Sequence, residues 1–206
     1  TRSQDPRGAD HTVDETIDVL RVDKLVRGPR GSIPIGMFSV FANHGTATGP
    51  ELPLFTADHQ GSAARYVEQR IRASGGVPAR QVVVNAFGQG AAGDMSSGLT
   101  RSGPAWADEV GRHEGRAMLR AWTLAGRRLD PRLSLDSRWT RYCMCGQVTS
   151  AGRVDSRAVI GVAASAGSEE LRTAFNEALV GEEGRRLPVP VGPQGHKVPG
   201  LDVTDG

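Results

Sequence analysis

Hydrophobic and polar positions along this chain switch repeatedly between a period of two and a period of three to four. Thr16-Ile17-Asp18-Val19-Leu20-Arg21-Val22 alternates, which predicts a half-buried strand. Lys24 to Ser32, with Gly28-Pro29 and Gly31, is the turn after it, and Ile33 to Ala42 is a mostly apolar second strand. The pair resembles a hairpin with a long connection. Asn43 to Ala57 forms a loop, after which Ala63, Ala64, Val67 and Ile71 mark one apolar helix face behind a capping Asp58. Ser74-Gly75-Gly76 and Pro78 end that helix. Gln81 to Phe87 predicts a third strand, which runs into a glycine-rich loop from Gly88 to Gly98. Pro104 suits a first helical turn, and Trp106, Val110, Met118, Leu119 and Trp122 predict a long amphipathic helix. Leu133 to Cys143 alternates again and predicts a strand. Beyond Gly146 the pattern weakens to a short helix over Glu169 to Leu179 and a Pro- and Gly-rich, poorly defined tail over 187–206.

The expected fold class is therefore α/β, with mixed β-sheet layers flanked by helices. The length of 206 residues, 38% of them hydrophobic, allows one sizeable core and so one domain or part of one. Charge adds an exclusion: 25 Lys and Arg against 23 Asp and Glu is too balanced a surface to argue for nucleic acid. No apolar run reaches the roughly 18 residues of a membrane span, and the first residues lack a basic-then-apolar signal pattern. The chain starts with Thr1, so a preceding segment is expected. Its two cysteines, Cys143 and Cys145, would face the same way on a strand, but zinc sites use Cys-x2-4-Cys pairs. Buried packing residues, or a cysteine paired outside the chain, is the simpler reading.

Candidate chemistry gathers where apolar strands open into loops, since open α/β sheets place their sites beyond strand ends. His44 ends the second strand and is followed by Gly45, which lets another group come close to the backbone. It reads equally as a metal ligand or catalytic base and as a hydrogen-bonded histidine. His59 follows Asp58 at the helix start, where the aspartate reads first as a cap. His113, among Arg112, Glu114 and Arg116, reads as part of a solvated face. The loop Gly88 to Gly98 lacks both the Lys-Ser/Thr ending of a phosphate-binding loop and the dinucleotide glycine spacing. Within it a serine could be a nucleophile beside backbone donors, or an ordinary turn serine. No Gly-x-Ser-x-Gly elbow is present, which counts against an α/β-hydrolase.

Four segments in order carry a resemblance: Phe41-Ala42-Asn43-His44-Gly45-Thr46, Thr56-Ala57-Asp58-His59-Gln60-Gly61-Ser62-Ala63, Val84-Asn85-Ala86-Phe87, and Gly93-Asp94-Met95-Ser96. Together they resemble the neutral/alkaline non-lysosomal ceramidases, with their Phe-Ala-x-His loop, Ser-Asp-Asn-x-Gly-Tyr-Ala segment, and Ala-Phe strand leading into Gly-Asp-Val-Ser-Pro-Asn. The likeness continues through Gly161 to Glu170 and ends near His196-Lys197. It implies a Zn2+-dependent amidase that cleaves the N-acyl bond of ceramide or a related lipid to sphingoid base and fatty acid. His44 matches a zinc histidine and Ser96 the reported nucleophile, with Asp58, His59 and Asp94 as supporting candidates. The family's other zinc histidine is expected upstream, and its zinc glutamate and tyrosine beyond Gly206. Residues 1–206 are thus expected to be part of one incomplete catalytic domain, inactive alone.

The resemblance also implies a ceramide-like lipid partner, peripheral contact with a membrane surface, and a secreted or cell-surface place. Ser97-Gly98 in place of Pro-Asn, and His59 in place of Asn, mark a divergent branch. Two other readings stand beside it. One is a noncatalytic lipid- or carbohydrate-binding protein of the same fold. The other is a metal-independent serine hydrolase with His44 as base, Ser96 as nucleophile, and Asp94 or Asp58 orienting the histidine.

Overall fold

In the computed structural model the described residues are 13–29, 31–93, 95–161, 174 and 199–203. Two compact units divide the chain, Thr1–Leu133 and Ser134–Gly206. The first is built on a three-stranded sheet, β1 (Asp18–Leu25), β2 (Ser32–Phe41) and β3 (Val84–Gln89), in that order, with helices α1 (Asp58–Ala73) and α2 (Pro104–Ala125). β1 and β2 form the expected antiparallel hairpin, with a bulge at Val22/Asp23. β2 and β3 are parallel, because α1 returns the chain to the starting edge between them. A parallel pair ends on one side of the sheet, so the loops after β2 and β3 emerge together.

The sheet's two faces differ. Val19, Ser39 and Phe87 form one row and Arg21, Met37 and Asn85 the next. Met37 and Val83 join Ala63, Val67 and Ile71 of α1 and Met118 of α2 in the core. That core includes polar side chains: Ser39 donates to Asn85 Oδ1 at 2.9 Å, and Glu68 Oε1 accepts the Asn85 backbone N–H at 2.9 Å. At the edge of this face Arg21 pairs with Asp23 at 2.7 Å and stacks 3.8 Å from the Trp122 ring centroid, fastening β1 to α2. On the opposite face Leu20, Val22, Phe38 and Val84 are exposed.

The predicted helices are observed with their expected apolar faces. Helix α1 buries Ala63, Val67 and Ile71, and α2 starts with Pro104 in its first turn. β3 begins at Val84 rather than Gln81, although Val83 still packs into the core.

In the second unit, Val148–Thr149 (β4) pairs with Gly152–Arg153 (β5), and Val159–Gly161 (β6) pairs with Pro199–Asp202 (β7). The strand expected over Leu133 to Cys143 does not form: the segment has no ladder, and Leu133, Leu135, Trp139 and Tyr142 are exposed. Alternation specifies two faces, but a strand also needs a neighbour for its backbone groups, and none pairs with this segment among the described residues. Cys143 and Cys145, expected as buried packing residues, are instead an exposed and a half-buried free thiol beside a turn closed by the Gln147 amide on the Met144 carbonyl at 3.1 Å. The helix expected over Glu169 to Leu179 lies outside the described residues except for Ala174, which is helical.

Candidate functional site

The two loops meet. The β2–β3 ladder continues past the strands through the Gly90 amide, which donates to the Phe41 carbonyl at 2.9 Å. Beyond it the His44 amide donates to the Met95 carbonyl at 3.1 Å, and His44 and Ser96 form an isolated parallel bridge. His44 is exposed and Ser96 half-buried. The Ser96 hydroxyl lies 3.0 Å from the Thr46 hydroxyl and accepts the Gly98 amide at 3.2 Å. Ser97, by contrast, is held through its backbone, because Trp106 Nε1 donates to its carbonyl at 2.6 Å. A further tie joins the loops to the start of α2, where the Gly103 amide donates to the Ala47 carbonyl at 2.8 Å.

Gly45 has the close neighbour that its sequence position anticipates. A Cβ there would lie 3.1 Å from Gln60 Oε1, and Gln60 Nε2 donates to the Asn43 carbonyl at 3.1 Å. Helix α1 thereby lies directly against the strand-end loop.

Beneath this loop runs a buried polar network. His59 is fully buried; its Nδ1 lies 2.9 Å from Glu114 Oε2 and its Nε2 2.7 Å from the His44 carbonyl oxygen. Asn43 Nδ2 donates to Glu114 Oε1 at 2.8 Å, while Asn43 Oδ1 is buried without a partner among the described residues. Both acceptors facing the His59 ring are oxygens, and only an imidazolium donates from both nitrogens. Burial works against that charge, but the hydrogen bond and charge of Glu114, with the His44 carbonyl and Asp58, raise the His59 pKa above its ordinary value. His59 therefore has no ring nitrogen free for a metal.

Asp58 takes a different part from the cap expected of it. Helix α1 begins at Asp58 itself, behind Ala57, with no side-chain cap. Its carboxylate instead accepts the Ala47 amide at 3.1 Å, the Thr48 amide at 2.7 Å and the Thr48 hydroxyl, fastening the loop to the helix start. It also accepts the His59 amide at 2.7 Å. Burial pushes its pKa up, but the Thr48 side-chain and backbone hydrogen bonds and the His59 amide outweigh this and hold it below the usual carboxylate value. Asp58 adopts φ 49°, a left-handed conformation that Asp and Asn tolerate best among side-chain-bearing residues. Asp58→Asn preserves that tolerance but removes the charge and turns one accepting oxygen into an NH2 that cannot accept from the loop amides. A carboxylate with a lowered folded pKa contributes stability above its unfolded value and loses it as pH falls through the folded one. The variant should be about 1–3 kcal/mol less stable near neutral pH. Denaturant titrations should show that gap closing below about pH 4.

Among the sequence candidates, the structure brings His44, Ser96, Asp58 and His59 to one end of the sheet; Asp94 lies outside the described residues. Asp58 and His59 are tied to the loop backbone rather than to the His44 ring. Glu114, and the hydrogen bond it accepts from Asn43, are parts of this network that motif reading passes over. A signal for Glu114 does exist: Ala107, Gly111, Glu114, Gly115 and Met118 make one helical stripe, which places the carboxylate on the buried face. His113 is exposed, as a solvated face requires.

Together, the strand-end loops define an α/β protein whose candidate chemistry lies at the carboxyl edge of a parallel strand pair. The family model for the neutral/alkaline non-lysosomal ceramidase N-terminal domain matches residues 4–111. The chain belongs to that family. Among solved structures it is similar to the neutral ceramidase from Pseudomonas aeruginosa, with 24% identity and a TM-score of 0.38 over 56% of this chain. The match spans 17% of that ceramidase chain. No curated protein matches.

Proposed function

We propose that the protein is an amide hydrolase that cleaves the N-acyl bond of ceramide or a related lipid, releasing a sphingoid base and a fatty acid. The observation that supports this most directly is the bridge between His44 and Ser96, in loops that carry the family's segments. In this reading Ser96 supplies the reacting hydroxyl, with the Gly98 N–H and the Thr46 hydroxyl orienting its oxygen. The lipid substrate implies peripheral contact with a membrane surface and a secreted or surface-associated place. No helix among the described residues is long and apolar enough to cross a membrane.

Among the described residues no group of three or more His, Cys, Asp or Glu side chains could hold a metal ion. A catalytic zinc ordinarily takes three protein ligands, so these residues alone do not fit a zinc centre. We assign His44 as one zinc donor of the full-length protein, the remaining donors coming from outside the described residues. Its exposed ring, which makes no hydrogen bond among the described residues, supports this. His44→Ala should weaken zinc binding by more than the ~10–100-fold that follows loss of a ligand's hydrogen-bond partner. Elemental analysis after dialysis checks this, and unchanged stoichiometry would remove the assignment.

Turnover of a fluorescent N-acyl sphingosine by the full-length protein tests the function itself. Saturable binding without hydrolysis would instead identify the lipid-binding reading.

A further inference from the structure

We propose that His59 is a positioning residue for the strand-end site, linking the buried Glu114 carboxylate of α2 to the backbone carbonyl of His44. The inference deepens the hydrolase reading and rests on it for the identity of the working groups.

The links form a chain from helix to loop. Glu114, buried in the middle of α2, makes two contacts at once: it accepts from Asn43 Nδ2 at 2.8 Å and lies 2.9 Å from His59 Nδ1. His59, in the first turn of α1, extends the line to the His44 carbonyl at 2.7 Å. That carbonyl also accepts the Thr46 amide at 2.9 Å, but Thr46 belongs to the same loop and moves with it. His59 contributes the bond that comes from a packed element. The amide of the same residue, His44, makes the contact to Met95 that brings the Ser96 loop alongside. The His44 N–H and C=O belong to the two peptide units that flank its Cα, so a shift of that Cα disturbs both contacts, and misplacement of a reacting group by about 1 Å can lower a rate about 100-fold.

Two replacements separate the two ends of the link. Glutamine at 59 places its amide nitrogen near the Nε2 position, so His59→Gln keeps a donor for the His44 carbonyl and gives up the one toward Glu114. Asparagine places its amide nitrogen near the Nδ1 position, so His59→Asn keeps the Glu114 contact and abandons His44. Both should lower stability. If His59 acts on the loop, His59→Asn should lower kcat about 100-fold with KM changed less than about twofold, whereas His59→Gln should retain kcat within about threefold.

Amide hydrogen exchange on the substrate-free full-length protein gives a second readout. In His59→Asn the His44 amide should exchange at least about 10-fold faster relative to the amides of Val67 and Ile71, and in His59→Gln that ratio should stay near wild type. Equal loss of His44 protection in both variants, in step with the α1 core, would overturn the proposal. So would a His59→Asn enzyme with wild-type kcat. Should His59→Asn fail to fold, His59→Gln decides alone, since selective loss of His44 protection there contradicts the link. Absence of amide hydrolysis by the wild-type protein would count against the hydrolase reading, while the exchange ratios still decide the positioning role.

Discussion

Ser96→Ala is expected to lower hydrolysis of an N-acyl sphingosine by about 10⁴-fold or more while leaving the fold intact, because a reacting hydroxyl has no substitute in the same loop. The neighbouring hydroxyl is the natural control. Ser97 Oγ lies 3.5 Å from the His44 carbonyl, too long to contribute much, and the strong contact of Ser97 is the one its backbone carbonyl accepts from Trp106. Alanine keeps that carbonyl. Ser97→Ala should therefore stay within about threefold of wild type. Among the described residues the half-buried Ser96 Oγ interacts with only the Thr46 hydroxyl and the Gly98 amide, so its removal should change the melting temperature little. Parallel turnover and melting measurements on both variants check the pair. A more severe defect in Ser97→Ala would show that the reacting position is shifted by one residue.

Gly111→Ala should destabilise the first unit, although alanine is intrinsically better in a helix by about 1 kcal/mol. At this position α2 crosses α1 so closely that a Cβ would stand 2.5 Å from the His59 carbonyl oxygen and 2.6 Å from Ser62 Cβ. The His59 carbonyl and the Ala63 amide, 2.7 Å away, are backbone and cannot rotate aside, so the helices must separate. Overpacking of this kind costs about 1–3 kcal/mol, and here it exceeds the propensity gain. Separation would also stretch the His59–Glu114 contact, which spans the same two helices. We expect a net loss of up to about 2 kcal/mol in urea unfolding. Gly76→Ala, where a Cβ would have no neighbour within 4 Å, should be within about 0.5 kcal/mol of wild type.

Periodicity made the main elements of the first unit legible. The i, i+4, i+8 run of Ala63, Val67 and Ile71 and the alternation of β1 each follow from a local rule, and each is observed. The same rule failed at Leu133 to Cys143, because alternation in sequence does not supply the partner that a strand requires. Asp58 looked like a cap because it stands at the helix boundary. Its carboxylate went instead to the amides of Ala47 and Thr48, more favourable partners than a helix start alone, and ones that come near only when the loop folds back.

By itself, then, the sequence determined which segments are strands or helices around the first core, and it carried the ordered segments that mark the family. It also singled out His44 and Ser96 as residues at strand ends. Whether those ends adjoin was decided by tertiary structure, through the parallel pairing of β2 and β3 that places both exits on one edge. Tertiary structure also decided the fate of His59 and Glu114, two residues of ordinary polar type 55 positions apart. They become a buried, hydrogen-bonded pair because Gly111 and Gly115 let α2 approach α1 too closely for water to remain between them. A charge removed from water must find a partner, and only the packed helices determine which partner is within reach.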